Sequence, residues 1–70
     1  MTGISVILNG IPIIAGAETV DQLLAERGVD AAQHFIAVAV NNVVVPRGEW
    51  AGLRLADGDR IEIVQPMKGG

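Results

Sequence analysis

Seventy residues, half of them hydrophobic, with a formal charge of −3 and no cysteine, describe one small acidic domain held by an apolar core rather than by disulfides. Five basic side chains in the whole chain supply no stripe that could neutralise phosphates, which argues against nucleic acid and against an anionic membrane surface. No apolar run reaches the ~18 residues of a spanning helix and no leader-like segment opens the sequence, so the cytoplasm is the expected compartment.

Residues 1–8 read as a strand, with Ile4, Val6 and Leu8 alternating against Gly3, Ser5 and Ile7. Asn9-Gly10 is a strong hairpin signal because both residues tolerate positive φ. Residues 11–14 form the return strand, and Pro12, which has no N–H to give to a ladder, places it at an edge. Thr19 and Gln22 have the spacing of a capping box. Val20, Leu23 and Leu24 then repeat at helical spacing up to the stop at Gly28, giving an amphipathic helix of two to three turns. Residues 29–34 connect it to a strand over residues 35–40, where Ile36, Val38 and Val40 share one face and Ala37 and Ala39 the other. Asn41-Asn42 turns the chain, Val43-Val44-Val45 pairs back, and Pro46 ends the strand. Residues 47–54 are irregular and anchored by Trp50. A turn at Asp57-Gly58-Asp59 leads into the last strand, residues 60–64.

The order ββαβββ predicts an α+β fold, a mixed sheet of about five strands with one main helix packed across one face. First and last strands lie side by side and parallel at the centre of such a sheet. This is the β-grasp, or ubiquitin-like, arrangement. Residues 1–64 then form the domain, and residues 65–70 a flexible tail leaving the central strand, able to reach roughly 20 Å. The tail closes on Gly69-Gly70, whose small residues would leave a carboxylate accessible to another enzyme.

Catalytic groups are scarce. His34 is the sole histidine, so neither a histidine triad nor a zinc site can be assembled from several imidazoles. Asp57 and Asp59 flank a glycine, a pattern that suits a turn better than an oxygen-ligand metal site. Glu49 and Glu62 have no paired carboxylate at a meaningful spacing. Arg47 is read as closing a hydrogen-bond network over a loop with Trp50 beneath it. The inventory points to a protein that is acted upon, not to an enzyme.

Three segments carry a resemblance. Thr19-Val20-Asp21-Gln22-Leu23-Leu24, the stretch from Ala37 through Val45-Pro46-Arg47 to Trp50, and Leu55-Ala56-Asp57-Gly58-Asp59-Arg60-Ile61-Glu62-Ile63-Val64 followed by Gly69-Gly70 resemble the ThiS sulfur carriers of thiamine biosynthesis. The Val-Pro-Arg-x-x-Trp element, the Asp-Gly-Asp turn and the final diglycine are specific in this order and at this length. The resemblance implies that a ThiF-like adenylyltransferase uses ATP to activate the carboxylate of Gly70. Sulfur from a donor then displaces AMP, and the thiocarboxylate delivers sulfur to a ThiG-like thiazole synthase. It implies no cofactor held by the chain itself and a monomer when free. Gly69 and Met67 are expected to serve tail recognition and Val64 partner docking, with ordinary core packing the competing reading for Met67 and Val64. The nearest alternatives are a MoaD-like small subunit of molybdopterin synthase and a ubiquitin-like modifier joined through Gly70.

Overall fold

Period-two alternation builds the sheet. In the computed structural model, which describes residues 3–33 and 35–65, β1 (Ile4–Leu8) and β2 (Ile11–Ala15) form the antiparallel hairpin. Asn9 at φ 50° and Gly10 at φ 84° supply the left-handed turn that the dipeptide predicts. α1 (Val20–Glu26) follows, then β3 (Ala37–Val40), β4 (Val43–Val44), a 3₁₀ turn at Arg47–Glu49 and β5 (Arg60–Val64). The strand order is β2-β1-β5-β3-β4, so the last strand is central. It runs parallel to β1, with Ile7 opposite Arg60 and Leu8 opposite Ile61, and antiparallel to β3, from Ala37–Val64 to Val40–Ile61. β2 is an edge, as Pro12 requires. The β-grasp architecture expected from the element order is the one observed.

Core residues come from one face of each element. Leu23 and Leu24 of α1 are fully buried against Val6, Val38 and Ile61, each no more than 2% exposed. The helix is shorter than a free one could be; tertiary contacts hold its start and a local motif closes its end. Gly28 at φ 76° closes a Schellman motif, its N–H bonding the Ala25 carbonyl while the Val29 N–H reaches Leu24.

The N-terminus departs from the capping-box expectation. Thr19 is the N-cap by position but makes no side-chain cap bond; its hydroxyl lies on the Asp21 carboxylate. Gln22 reaches back one residue further than the motif prescribes and accepts the Glu18 N–H at 2.9 Å. The reason is tertiary. The segment after the 3₁₀ turn delivers main-chain carbonyls to the helix start, so Val20 N–H bonds Leu53 and Asp21 N–H bonds Trp50, and these donors need no side-chain cap.

Trp50 is the anchor of the 45–54 segment. It is 4% exposed, and its indole N–H donates to the Val45 carbonyl at 2.9 Å. The Arg47 guanidinium lies 4.6 Å above its ring and donates to the carbonyls of Ala31 and Gln33. One arginine thus ties the helix-to-β3 connection to the 3₁₀ turn. His34, at the end of that connection, lies outside the described residues.

Candidate functional site

Strand pairing decides which residues share the face that α1 leaves uncovered. Cross-strand partners point to the same side. Val64 therefore lies with Ala37, Glu62 with Ala39 and Val44, Arg60 with Ile7, and Ile14 with Ser5. On this face Ile14, Val44 and Val64 are 68%, 71% and 63% exposed. Arg60 and Glu62 run between the apolar positions along β5. The face is an apolar field divided by one charged pair of opposite sign, a composition that suits a protein surface better than bulk water.

The face has two ends. Beside Gly58 and the start of β5, Ser5, Ile7, Pro12 and Ile14 line an open apolar hollow of about 410 Å³. At the other end, roughly 13 Å along β5, stand Val64 and Ala37. Phe35, just before β3, is also largely exposed. The chain leaves the sheet here, since β5 ends at Val64 and Gln65 carries no strand.

Val64, expected as a docking residue, is on the open face and not in the core. Gly69, Gly70 and Met67 lie outside the described residues. Ala37 joins Val64 by register alone, while Val44 lies across β3 at the level of Glu62. Alternation in the β3 sequence does place the alanines on the face opposite Val38, but only the pairing reveals which side chains flank Val64.

The Asp-Gly-Asp turn is structural. Asp57 accepts the Ser5 N–H at 2.8 Å. Asp59 accepts the Ala56 N–H and the Asn41 amide. Gly58, at φ 89°, donates its N–H to Ser5. Both carboxylates thus receive hydrogen bonds from the chain, and among the described residues no cluster of three metal-ligating side chains occurs. The turn instead fixes where β5 begins beside β1.

Two asparagines brace β5. Asn9 and Asn41 both sit at positive φ. Asn41 accepts the Arg60 N–H through its side chain at 3.0 Å and donates its own N–H to the Arg60 carbonyl. Asn9 accepts the Ile63 N–H at 2.9 Å, and its amide NH₂ donates to the Ile63 carbonyl at 3.3 Å. The sequence shows these residues as turn formers; contacts spanning 54 positions are invisible to it.

Residues 6–70 match the ThiS family. The chain belongs to that family. The sulfur carrier protein ThiS of Escherichia coli K12 is 39% identical over 56 residues, 80% of this chain and 82% of that protein. A thiazole synthase of Paramagnetospirillum magneticum is 42% identical over 52 residues, 74% of this chain but 15% of the synthase. Among solved structures, the crystal structure of the thiamine biosynthesis protein ThiS from Geobacter metallireducens superposes with a TM-score of 0.75 at 31% identity, covering 96% of this chain and all of that one. The solution structure of a thiamine biosynthesis protein from the same organism gives 0.78 at 31% identity, covering 96% of this chain and 88% of the other. The ThiS-family resemblance read from the sequence is thereby established over nearly the whole chain.

Proposed function

We propose that this chain is a sulfur carrier of thiamine biosynthesis, a protein cosubstrate on which partner enzymes act. The observation that carries the reading is the ThiS match, which runs from the first strand through Gly70. It is supported by a body whose central strand leads directly into the segment ending in the diglycine.

The chemistry assigns the working group to the α-carboxylate of Gly70. Oxide is too poor a leaving group for direct substitution. A ThiF-like partner transfers AMP from ATP to the carboxylate with release of pyrophosphate, which makes the carbonyl electrophilic. Sulfur then displaces AMP; sulfide gives the thiocarboxylate directly, whereas a persulfide donor gives an acyl disulfide whose S–S bond a thiol reductant cleaves to release it. Neither step requires a nucleophile from the chain, which contains no cysteine, and ATP and the sulfur source are reagents of the partner. Gly69 and Gly70 present a narrow end to the partner's channel, and Met67 adds an apolar contact near it.

Thiazole synthase is the proposed recipient. A sequence similar to most of this chain occupies 15% of a protein bearing that name, and carriage of donor-like and acceptor sequences on one polypeptide supports a working pair. The open sheet face around Val64, Ala37 and Val44 is the proposed docking surface, apolar and beside the root of the tail.

Intact mass after incubation with an active adenylating partner, ATP and a sulfur donor tests the reading. The expected change is replacement of one oxygen by sulfur at Gly70, abolished by deleting Gly70 or by adding a residue after it. An unchanged mass beside a partner shown to be active refutes it. Capture of the thiocarboxylate form by a molybdopterin synthase large subunit, and not by thiazole synthase, reassigns the pathway.

A further inference from the structure

The pairing of β1 with β5 stops at Leu8–Ile61, because the chain turns away at Asn9-Gly10. The last three residues of β5 therefore project past the end of their parallel neighbour, while β3 still flanks them as far as Val64. Alternate residues of a central strand send their N–H and C=O to opposite sides. Asn41 meets Arg60 on the β3 side, and the Asn9 N–H meets Ile61 on the β1 side at 2.8 Å. The next main-chain pair on the β1 side is that of Ile63, where β1 has no backbone left to offer.

Asn9 fills that place with its side chain. Its Oδ1 accepts the Ile63 N–H and its Nδ2 donates to the Ile63 carbonyl, so one amide supplies both the acceptor and the donor that two successive positions of a continued parallel strand would have offered. The left-handed turn conformation, φ 50°, brings the amide to this position, and asparagine is one of the few side chains that both adopts it readily and carries a donor and an acceptor. We infer that Asn9 is a positioning residue for the carrier reaction, fixing the main chain at Ile63 and so the direction in which the chain leaves β5. The inference rests on the carrier reading above. Asn9 stands beside the strand end and leaves the Val64–Ala37 surface untouched, so it governs presentation and not docking.

Asn41 provides the comparison. It occupies the same kind of turn and also bonds a β5 N–H through its side chain, but at the opposite end of the strand. Substituting either asparagine by glycine keeps positive φ accessible and removes the side-chain bonds. The test measures thiocarboxylate formation with the adenylating partner, ATP and sulfur donor while the concentration of wild-type or variant carrier is varied. Wild-type conversion with Asn9→Gly lowered about fivefold in kcat, its KM within about twofold of wild type, and Asn41→Gly retaining wild-type kcat supports the inference, because orientation at the reacting centre is lost while docking is kept. Asn9→Asp, which keeps an acceptor for the Ile63 N–H, is expected between wild type and Asn9→Gly; should Asn9→Gly fail to fold, reduced kcat at unchanged KM in Asn9→Asp supports the inference and a wild-type kcat overturns it. Equal kcat in wild type and Asn9→Gly, or equal losses in both glycine variants, overturns positioning and leaves the carrier reading standing. A wild-type protein that gains no sulfur beside an active partner overturns both.

Discussion

The two faces of the sheet are built from similar residues and have opposite fates. Under α1, Val6, Val38 and Ile61 are nearly sealed, whereas on the other side Val44, Val64 and Ile14 are each more than 60% exposed. A half-covered antiparallel sheet usually alternates apolar-in with polar-out. Here the outer positions are apolar as well, apart from residues such as Ser5, Arg60 and Glu62. The covered face explains why the chain folds. The open face buries far less, and its exposed apolar side chains are the basis of the docking surface proposed above.

That contrast can be broken most severely at the covered side. Trp50→Ala removes a buried ring, its bond to the Val45 carbonyl and the platform under Arg47. Loss of a buried tryptophan costs about 3–5 kcal/mol, a large share of the stability of a domain this small, so urea denaturation should find the variant largely unfolded. A matched pair of charges then separates the faces. Val38→Asp places an unpaired carboxylate in the core and should unfold the chain by the same assay. Val64→Asp, on the open face, should shift stability by no more than about 0.5 kcal/mol yet weaken partner binding about tenfold, read by calorimetry. Wild-type affinity in a folded Val64→Asp variant would remove this residue from the docking surface.

Arg47 tests a subtler division between scaffold and contact. Its side chain is exposed but spans two carbonyls of the 31–33 segment and lies over Trp50. Solvent screening limits such bonds, and Arg47→Ala should cost about 1 kcal/mol. Arg47→Lys should recover little of it, because an ammonium cannot reproduce the planar two-point fork. Faster amide exchange should be confined to the 30–36 connection. Full recovery by lysine would mean that charge, and not geometry, holds the loop.

The fold was legible in the sequence wherever one residue type decides a local conformation. Asn9-Gly10 specified the hairpin, Pro12 the edge, Gly28 the helix stop and Asp57-Gly58-Asp59 the final turn, and these marks together with alternation imply the strand order. Val64 ends the last strand as alternation implies, but its neighbour Ala37 depends on register between segments far apart in the chain. The reach of Asn9 to Ile63 was hidden for the same reason. Arg47–Glu49 looks irregular in the sequence because a single 3₁₀ turn has too few residues to display a period. The Ala31 and Gln33 carbonyls were equally unreadable as partners of Arg47, since any residue type can present a carbonyl.

The smallest expected effect lies where local reasoning gave a plausible but displaced answer. A threonine N-cap ordinarily contributes about 1 kcal/mol through its bond to an unpaired helix N–H. Thr19 makes no such bond, and the N–H groups of Val20 and Asp21 are taken by Leu53 and Trp50 carbonyls. Thr19→Ala should therefore change stability by less than about 0.5 kcal/mol. Gln22→Ala removes the one side-chain bond that reaches back across the helix start, to Glu18, and should cost slightly more. If Thr19→Ala instead costs a full cap, the main-chain carbonyls of the 50–53 segment do not satisfy the helix start, and its packing against the 3₁₀ turn must be weaker than these bonds imply. The two substitutions thus report whether the covered side of the molecule is held at this point by local caps or by tertiary contacts.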